Sequence, residues 1–423
     1  MLNFIGPKSE FIKNTLALFT GTVVAQAIPI LISPLLTRIY DPQDFGLLAI
    51  YVSLSGLFGI IATGRYELAI VLPKENKDGL SLFALSIILA LIIAALTLVL
   101  VALFGTQIAS WYKEPKIERW LVLIPVTVLF TGIYQALNYY ATRKKSFANI
   151  SVSKVTDSFL NSLVKLLVGI KTIGAGGLII GNIMGQIAGS VVLIQTFWEK
   201  GILNQIVVER QNISVQARKY SDFLKINTIH AFADVLQTTL LIFFISSFFG
   251  SAVVGLYALT LRIIKVPAGF IGGSVSQVFY QKASEKYANE EEIKPIVIKM
   301  LGSLALVSAP IFTVLILFGP ELFAFVFGEG WEEAGEYAQI LSPWIFLSFI
   351  ISPVSQIPII VNRQKENLLI SLFGHALSIG SIIYGGLVHS DIKDTLQMLS
   401  LLQVIFLIFV VIWIVNISKT RTT

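Results

Sequence analysis

The stretch Gly64-Arg65-Tyr66-Glu67-Leu68-Ala69-Ile70-Val71-Leu72-Pro73 places two charges inside a run that is otherwise apolar back to Phe45. A run of that length crosses about 30 Å of hydrocarbon as a helix, so its arginine and glutamate fall in or near a bilayer. An isolated charge there costs at least about 3 kcal/mol and by default marks a pathway or a binding site. Residues two apart on a helix do not face each other. Arg65 and Glu67 are therefore expected not to neutralise one another, and each needs a partner or water supplied by other helices.

The rest of the chain agrees with a membrane setting. Of 423 residues, 55% are hydrophobic and only 13% charged, with a mean hydropathy of +0.80; a soluble domain is about a quarter charged. Apolar runs of about twenty residues recur from end to end. The expected fold is an all-α polytopic membrane protein with twelve transmembrane helices. The spans fall near 14–38, 45–72, 80–104, 118–140, 150–171, 174–197, 226–248, 253–278, 296–319, 337–361, 368–388 and 396–417. Connections are short, as at Gly174-Ala175-Gly176-Gly177, except for the polar segment 198–225. That segment divides the chain into an N-terminal six-helix lobe (1–197), a cytoplasmic linker (198–225) and a C-terminal six-helix lobe (226–423). The halves open alike, with Phe11-Ile12-Lys13-Asn14 against Phe223-Leu224-Lys225-Ile226-Asn227 and Gly46-Leu47-Leu48-Ala49 against Gly255-Leu256-Tyr257-Ala258. Parallel repeats of this kind predict two pseudo-symmetric lobes around a central cleft.

Charge placement sets orientation. With the N-terminus inside, the outer segments hold only Arg38, Lys113, Lys116, Arg119, Lys171 and Lys393, while the inner ones carry most of the remaining Lys and Arg. The positive-inside rule then puts both termini in the cytoplasm. The outer segment 321–336 holds five glutamates and no basic residue. The net charge of +6 thus follows topology and is not read as affinity for nucleic acid. There are no cysteines, and the three histidines are widely spaced, so no metal site is assigned. No cleavage site follows the first charges, so the first span is expected to be retained.

Polar residues recur at helical spacing within the spans. The fourth carries Thr131, Gln135 and Asn138; the fifth carries Lys154, Asp157, Asn161 and Lys165 along one expected face; the seventh carries His230, Asp234 and Gln237; the eighth carries Arg262 and Lys265 before Pro267. Single Ser, Thr, Asn and Gln residues serve helix–helix hydrogen bonding, whereas whole stripes that include charges suggest a polar cavity. Arg65, Lys154, Lys165, Arg262 and Lys265 outnumber Glu67, Asp157 and Asp234 by two. A structural pairing with Asp234 is one reading of Arg262 and Lys265; a cationic cavity for an anionic substrate is the other. No P-loop, HExxH or Gly-rich phosphate cradle is present, so no catalytic residue and no cofactor is assigned.

Several segments carry a family pattern: Leu35-Leu36-Thr37-Arg38-Ile39-Tyr40, Asp44-Phe45-Gly46, Arg65-Tyr66-Glu67-Leu68-Ala69-Ile70, Phe327-Gly328-Glu329-Gly330-Trp331 and Ile340-Leu341-Ser342-Pro343, with the region from Arg262 to Ser284. In these segments the chain resembles the bacterial polysaccharide-biosynthesis flippases, including those of the Wzx type. These belong to the multidrug/oligosaccharidyl-lipid/polysaccharide exporter superfamily. The resemblance implies a bilobed bundle in the bacterial inner membrane that moves an undecaprenyl-pyrophosphate-linked oligosaccharide between leaflets by alternating access. It implies membrane lipids and a polyprenyl-diphosphate-linked glycan as partners, with a polysaccharide polymerase and a chain-length regulator as candidates, and leaves proton or sodium coupling open. A diphosphate suits Arg and Lys. The candidate substrate-binding residues are Arg65, Lys154, Arg262, Lys265, Asn138, Gln135, Asn161 and Gln237, and the candidate coupling or gating residues are Glu67, Asp157, Asp234 and His230.

Two other classes compete with this reading. An ion-coupled exporter of small cationic compounds would depend on Asp157 and Asp234. A membrane-embedded glycosyltransferase or polymerase would need catalytic groups in large outer loops, and the acidic segment around Glu329, Glu332 and Glu333 is short. On straight helices, Arg65 lies roughly 28 Å from the outer end of its span, and Arg262 and Lys265 lie about 10 and 15 Å in. Arg65 is accordingly expected at the inner mouth.

Overall fold

The computed structural model describes residues 7–171, 174–199, 210–388 and 391–419. These form helices joined by short turns, and no strand occurs among the described residues. They divide into two compact units at Phe243/Phe244, and each is taken by itself.

The first unit begins with α1 (Pro7–Leu36), α2 (Pro42–Gly59), a 3₁₀ segment (Tyr66–Val71) and α3 (Asn76–Trp111). It continues through α4 (Glu118–Leu121), α5 (Ile124–Arg143), α6 (Phe147–Lys171), α7 (Gly176–Glu199) and α8 (Arg210–Lys219) into α9 (Thr228–Phe249). Local chemistry sets several of these ends. Asp41 caps α2 by accepting from the Asp44 amide at 2.8 Å, and Pro42 starts the helix where no N–H donor is needed. Gly174 has φ +111 in the turn before α7, a conformation that favours glycine.

The Pro29 position is repaired from a neighbouring helix. Pro29 in α1 cannot donate to the Ala25 carbonyl; the Ser158 hydroxyl of α6 donates to it instead, at 2.5 Å. Away from water such a replacement donor is needed for each freed backbone group.

The second unit holds α10 (Ser251–Ile264), α11 (Val266–Ala288), α12 (Lys294–Phe327), α13 (Glu332–Ile351), α14 (Ile357–Ile360), α15 (Gln364–Val388) and α16 (Ile392–Ile417). Here α12 kinks at Phe318, and Gln339 Nε2 donates at 2.8 Å to the Ile316 carbonyl, the one left without its helical donor by Pro320. Gly319 and Gly335 face each other closely enough that a Cβ on Gly319 would lie 2.6 Å from the Gly335 carbonyl oxygen.

Among the described residues, eight helices are long and apolar enough to cross a membrane, and the pair Pro115–Leu121 with Ile124–Arg143, bent by 49°, makes a ninth. Helical segments occupy all twelve expected spans, but three do not qualify as long apolar helices. The expected span 45–72 stops as a helix at Gly59. The span at 150–171 lies in α6, whose Lys154, Asp157, Lys165 and Lys171 lower its apolarity. The span 253–278 is divided at Lys265, where α10 ends after 14 residues and Pro267 falls in the first turn of α11. The expected acidic loop 321–336 is also corrected: Glu321 belongs to α12 and Glu332, Glu333 and Glu336 to α13, so only Gly328–Trp331 separates the two helices.

Candidate functional site

The charges that first suggested a site lie past the end of α2. Weak turns run from Ile60 to Gly64, with Gly64 N donating to the Ile61 carbonyl at 2.9 Å. Gly64 (φ +58) and Arg65 (φ +61) then both adopt left-handed conformations, which is uncommon for a residue with a Cβ. This reversal ends the helical geometry and turns Arg65 back toward Glu67. Arg65 Nη1 lies 3.4 Å from Glu67 Oε1, and the Thr63 hydroxyl donates to Glu67 Oε2. The expectation that the two charges could not pair is therefore overturned, because the i, i+2 rule holds only on a continuous helix. The 28 Å depth derived for Arg65 falls with it.

The pair is unevenly buried. Glu67 is 1% exposed and Arg65 23% exposed. Buried Arg65 Nε and Glu67 Oε1 form no hydrogen bond among the described residues, so the 3.4 Å approach is an ionic contact without good hydrogen-bond geometry. An arginine held this way keeps donor capacity for an anion.

The polar residues of α5, α6 and α7 meet one another. Gln186 Nε2 donates to Thr131 Oγ1 at 3.1 Å, and Asn161 Nδ2 approaches Asn182 Oδ1 at 3.4 Å. Three amide oxygens here, Gln135 Oε1, Asn138 Oδ1 and Gln186 Oε1, are buried without a donor among the described residues. Such groups are rare in folded proteins and call for an explanation. Hydroxyl donors from a bound molecule would satisfy them.

The charged stripe on α6 does not share one environment. Lys154 turns toward α1, where Nζ donates to Thr22 Oγ1 at 3.2 Å. Asp157, Asn161 and Lys165 instead lie against a glycine ridge on α7. A Cβ on Gly181 would come within 2.6 Å of Lys165 Cγ and 2.7 Å of the Asn161 carbonyl, and one on Gly185 within 2.7 Å of Asn161 Cβ and the Asp157 carbonyl. The spacing Gly177, Gly181, Gly185, Gly189 is the small-residue pattern that lets membrane helices approach closely. Tyr40 completes this contact by donating to the Lys165 carbonyl at 2.7 Å.

The remaining candidates are placed separately. Asp234 is exposed on α9, and Gln237 is half-buried one turn further on; Asp234 has a polar partner. The side chain of His230 lies outside the described residues. In the second unit Arg262 is half-buried near the end of α10 and Lys265 is exposed at its C-cap. Neither forms an ion pair with a described residue of that unit.

Comparison with known proteins supplies the context for this geometry. The sequence model of a family described as "Polysaccharide biosynthesis protein" matches residues 35–336. The lipopolysaccharide biosynthesis protein WzxC of Escherichia coli (strain K12) is 21% identical over 390 residues, which is 91% of this chain and 77% of that protein. Among solved structures, the lipid II flippase MurJ in an inward closed conformation matches with a TM-score of 0.68 at 16% identity, covering 96% of this chain and 90% of that one. A multidrug resistance MATE family transporter of the MOP superfamily, in an inward-facing conformation, gives 0.64 at 12% identity and covers 96% of both chains. At these identities the structural matches show a shared fold.

Proposed function

Because the chain belongs to the polysaccharide biosynthesis protein family, we propose that it is a flippase for a lipid-linked oligosaccharide. The substrate is an undecaprenyl-pyrophosphate-linked repeat unit of a surface polysaccharide, carried from the inner to the outer leaflet of the bacterial cytoplasmic membrane by alternating access. Both termini lie in the cytoplasm. The similarity to WzxC and the fold shared with MurJ, whose names denote lipopolysaccharide biosynthesis and lipid II flipping, support this reading.

The observation that carries it is the set of buried amide oxygens at Gln135, Asn138 and Gln186 that find no donor among the described residues. Sugar hydroxyls are donors of the kind these oxygens lack, and each left unsatisfied is unfavourable. Arg65, Arg262 and Lys265 suit the diphosphate, since guanidinium and ammonium groups make charge-assisted hydrogen bonds to phosphate oxygens. Within the first unit, the amide oxygens and the Arg65 guanidinium fit an anionic, hydroxyl-rich headgroup better than a small cation.

The test is reconstitution into vesicles that carry a lipid-diphosphate-linked oligosaccharide in one leaflet. Protein-dependent appearance of the glycan in the opposite leaflet is expected. Gln135→Leu with Asn138→Leu should lower the rate while leaving the protein folded. No movement of glycan by the well-folded wild type overturns the reading.

A further inference from the structure

The last residue of α5, Arg143, holds a segment to which it is not joined in sequence. Its Nη1 donates to the carbonyls of Ile70 at 3.1 Å and Pro73 at 2.6 Å. Its Nη2 donates to the Glu75 carbonyl at 2.8 Å and reaches the Lys74 carbonyl at 3.5 Å. Lys144 Nζ adds a bond to Asn76 Oδ1 at 2.8 Å. Gly79 makes room for this arrangement, since a Cβ there would lie 2.6 Å from Arg143 Nε. A basic residue at a helix C-terminus ordinarily serves the carbonyls of its own last turn. Arg143 directs these bonds elsewhere, to carbonyls at the end of the 3₁₀ segment and beyond it.

The same segment is fastened from another direction. Tyr66 Oη donates to the Ala217 carbonyl of α8 at 3.0 Å, and α8 is itself tied to the start of α3, where Asn212 Nδ2 donates to Asp78 Oδ1 and Ser81 Oγ at 3.1 and 2.9 Å. Residues 64–75 thus form a strap between two anchors, with Arg65 at its start in a left-handed conformation that an L residue does not hold without support.

We propose that Arg143 is a positioning residue that fixes this strap so that Arg65 is presented to a diphosphate-bearing ligand. Arg143 does not touch the ligand; it acts through the backbone from Ile70 to Glu75. The planar guanidinium is required, because a lysine is a single point donor that cannot span these carbonyls. The inference rests on the reading of Arg65 as a diphosphate contact, and two readouts separate the failure of one from that of the other.

The chain has no cysteine, so a spin label attached through Leu72→Cys, an exposed strap position, reports the strap alone. A label attached through Val152→Cys on α6, likewise exposed, serves as control. Arg143→Lys and Arg143→Gln should mobilise the label at position 72 and leave the label at 152 unchanged. Binding of inorganic pyrophosphate to the full-length protein should weaken at least about fivefold in Arg143→Lys. The effect should vanish in an R65Q/E67Q background, where no buried carboxylate is left uncompensated. An unchanged label at position 72 overturns the positioning role, as does an equal loss of affinity in both backgrounds. If R65Q/E67Q binds pyrophosphate as well as wild type, the reading of Arg65 falls, and the label alone decides for or against Arg143.

Discussion

The Ser158 hydroxyl of α6 lies 2.5 Å from the Ala25 carbonyl of α1, four residues before Pro29. That carbonyl has no donor in its own helix, because proline carries no N–H. Gln339 stands in the same relation to the Ile316 carbonyl and Pro320 in the second unit. Pro29 and Pro320 are therefore pinned by side chains from a neighbour rather than left as loose joints.

Ser158→Ala is expected to destabilise the first unit by about 0.5–2 kcal/mol, the range for a buried carbonyl that loses its donor in a membrane setting. In a Pro29→Ala background the loss should shrink, since an alanine at position 29 restores an N–H that can donate to the Ala25 carbonyl. Thermal melting of the four proteins in detergent measures the difference, and equal losses in both backgrounds would contradict this account.

The glycine ridge predicts a contrast between glycines. Gly181→Ala and Gly185→Ala must force Cβ atoms against the backbone of α6, and overpacking of this kind costs about 1–3 kcal/mol. A Cβ on Gly302 of α12 would meet nothing within 4 Å, so Gly302→Ala should be neutral or stabilise by up to about 1 kcal/mol through helix propensity. Melting temperatures should separate the two sets.

Tyr40 links stability to pH. Burial, and then the Asp44 carboxylate, push its phenol from 10.0 up to about 12. A raised folded-state value contributes stability that is fully present below pH 10.0 and is lost as pH rises through about 12. Tyr40→Phe should remove that alkaline component and, with the bond to the Lys165 carbonyl, about 1 kcal/mol of stability at neutral pH. Unfolding followed across the alkaline range up to about pH 12 checks both.

Arg65 and Glu67 should behave asymmetrically. Arg65→Gln leaves a carboxylate that is 1% exposed without its counter-ion, and stability should fall by about 2–4 kcal/mol. Glu67→Gln should cost less, because Arg65 reaches solvent. The double variant should lie closer to wild type than Arg65→Gln does. A double-mutant cycle on thermal stability gives the coupling, and additivity would deny the pair.

Much of this is legible in the sequence, and the gaps have physical causes. Hydropathy marks where helices cross, and the segments resembling polysaccharide flippases fall largely within the matched residues 35–336. Hydropathy does not register backbone conformation, so the left-handed turn at Gly64-Arg65 is hidden inside an apolar run, and with it the ion pair. The polar stripe of α6 is visible, but the stripe alone does not name its neighbour. The signal lies elsewhere, since Gly177, Gly181, Gly185 and Gly189 recur four apart and that pattern announces a close helix partner. Arg143 reads in the sequence as one of several inner-loop cations. Its acceptors are backbone carbonyls, which every residue possesses, so no sequence pattern could name them.

The glycine ridge also restricts how the first unit can move. Advancing α7 by one residue along its axis turns it by about 100° and would drive Leu178, Asn182, Gln186 and Ser190 into spaces where only hydrogen fits. The α6–α7 pair is therefore keyed against a one-residue slip. Any change of shape within this unit has to be absorbed by other joints, and residues 60–65, where the backbone has already left the helix, offer one that requires no helix to be broken.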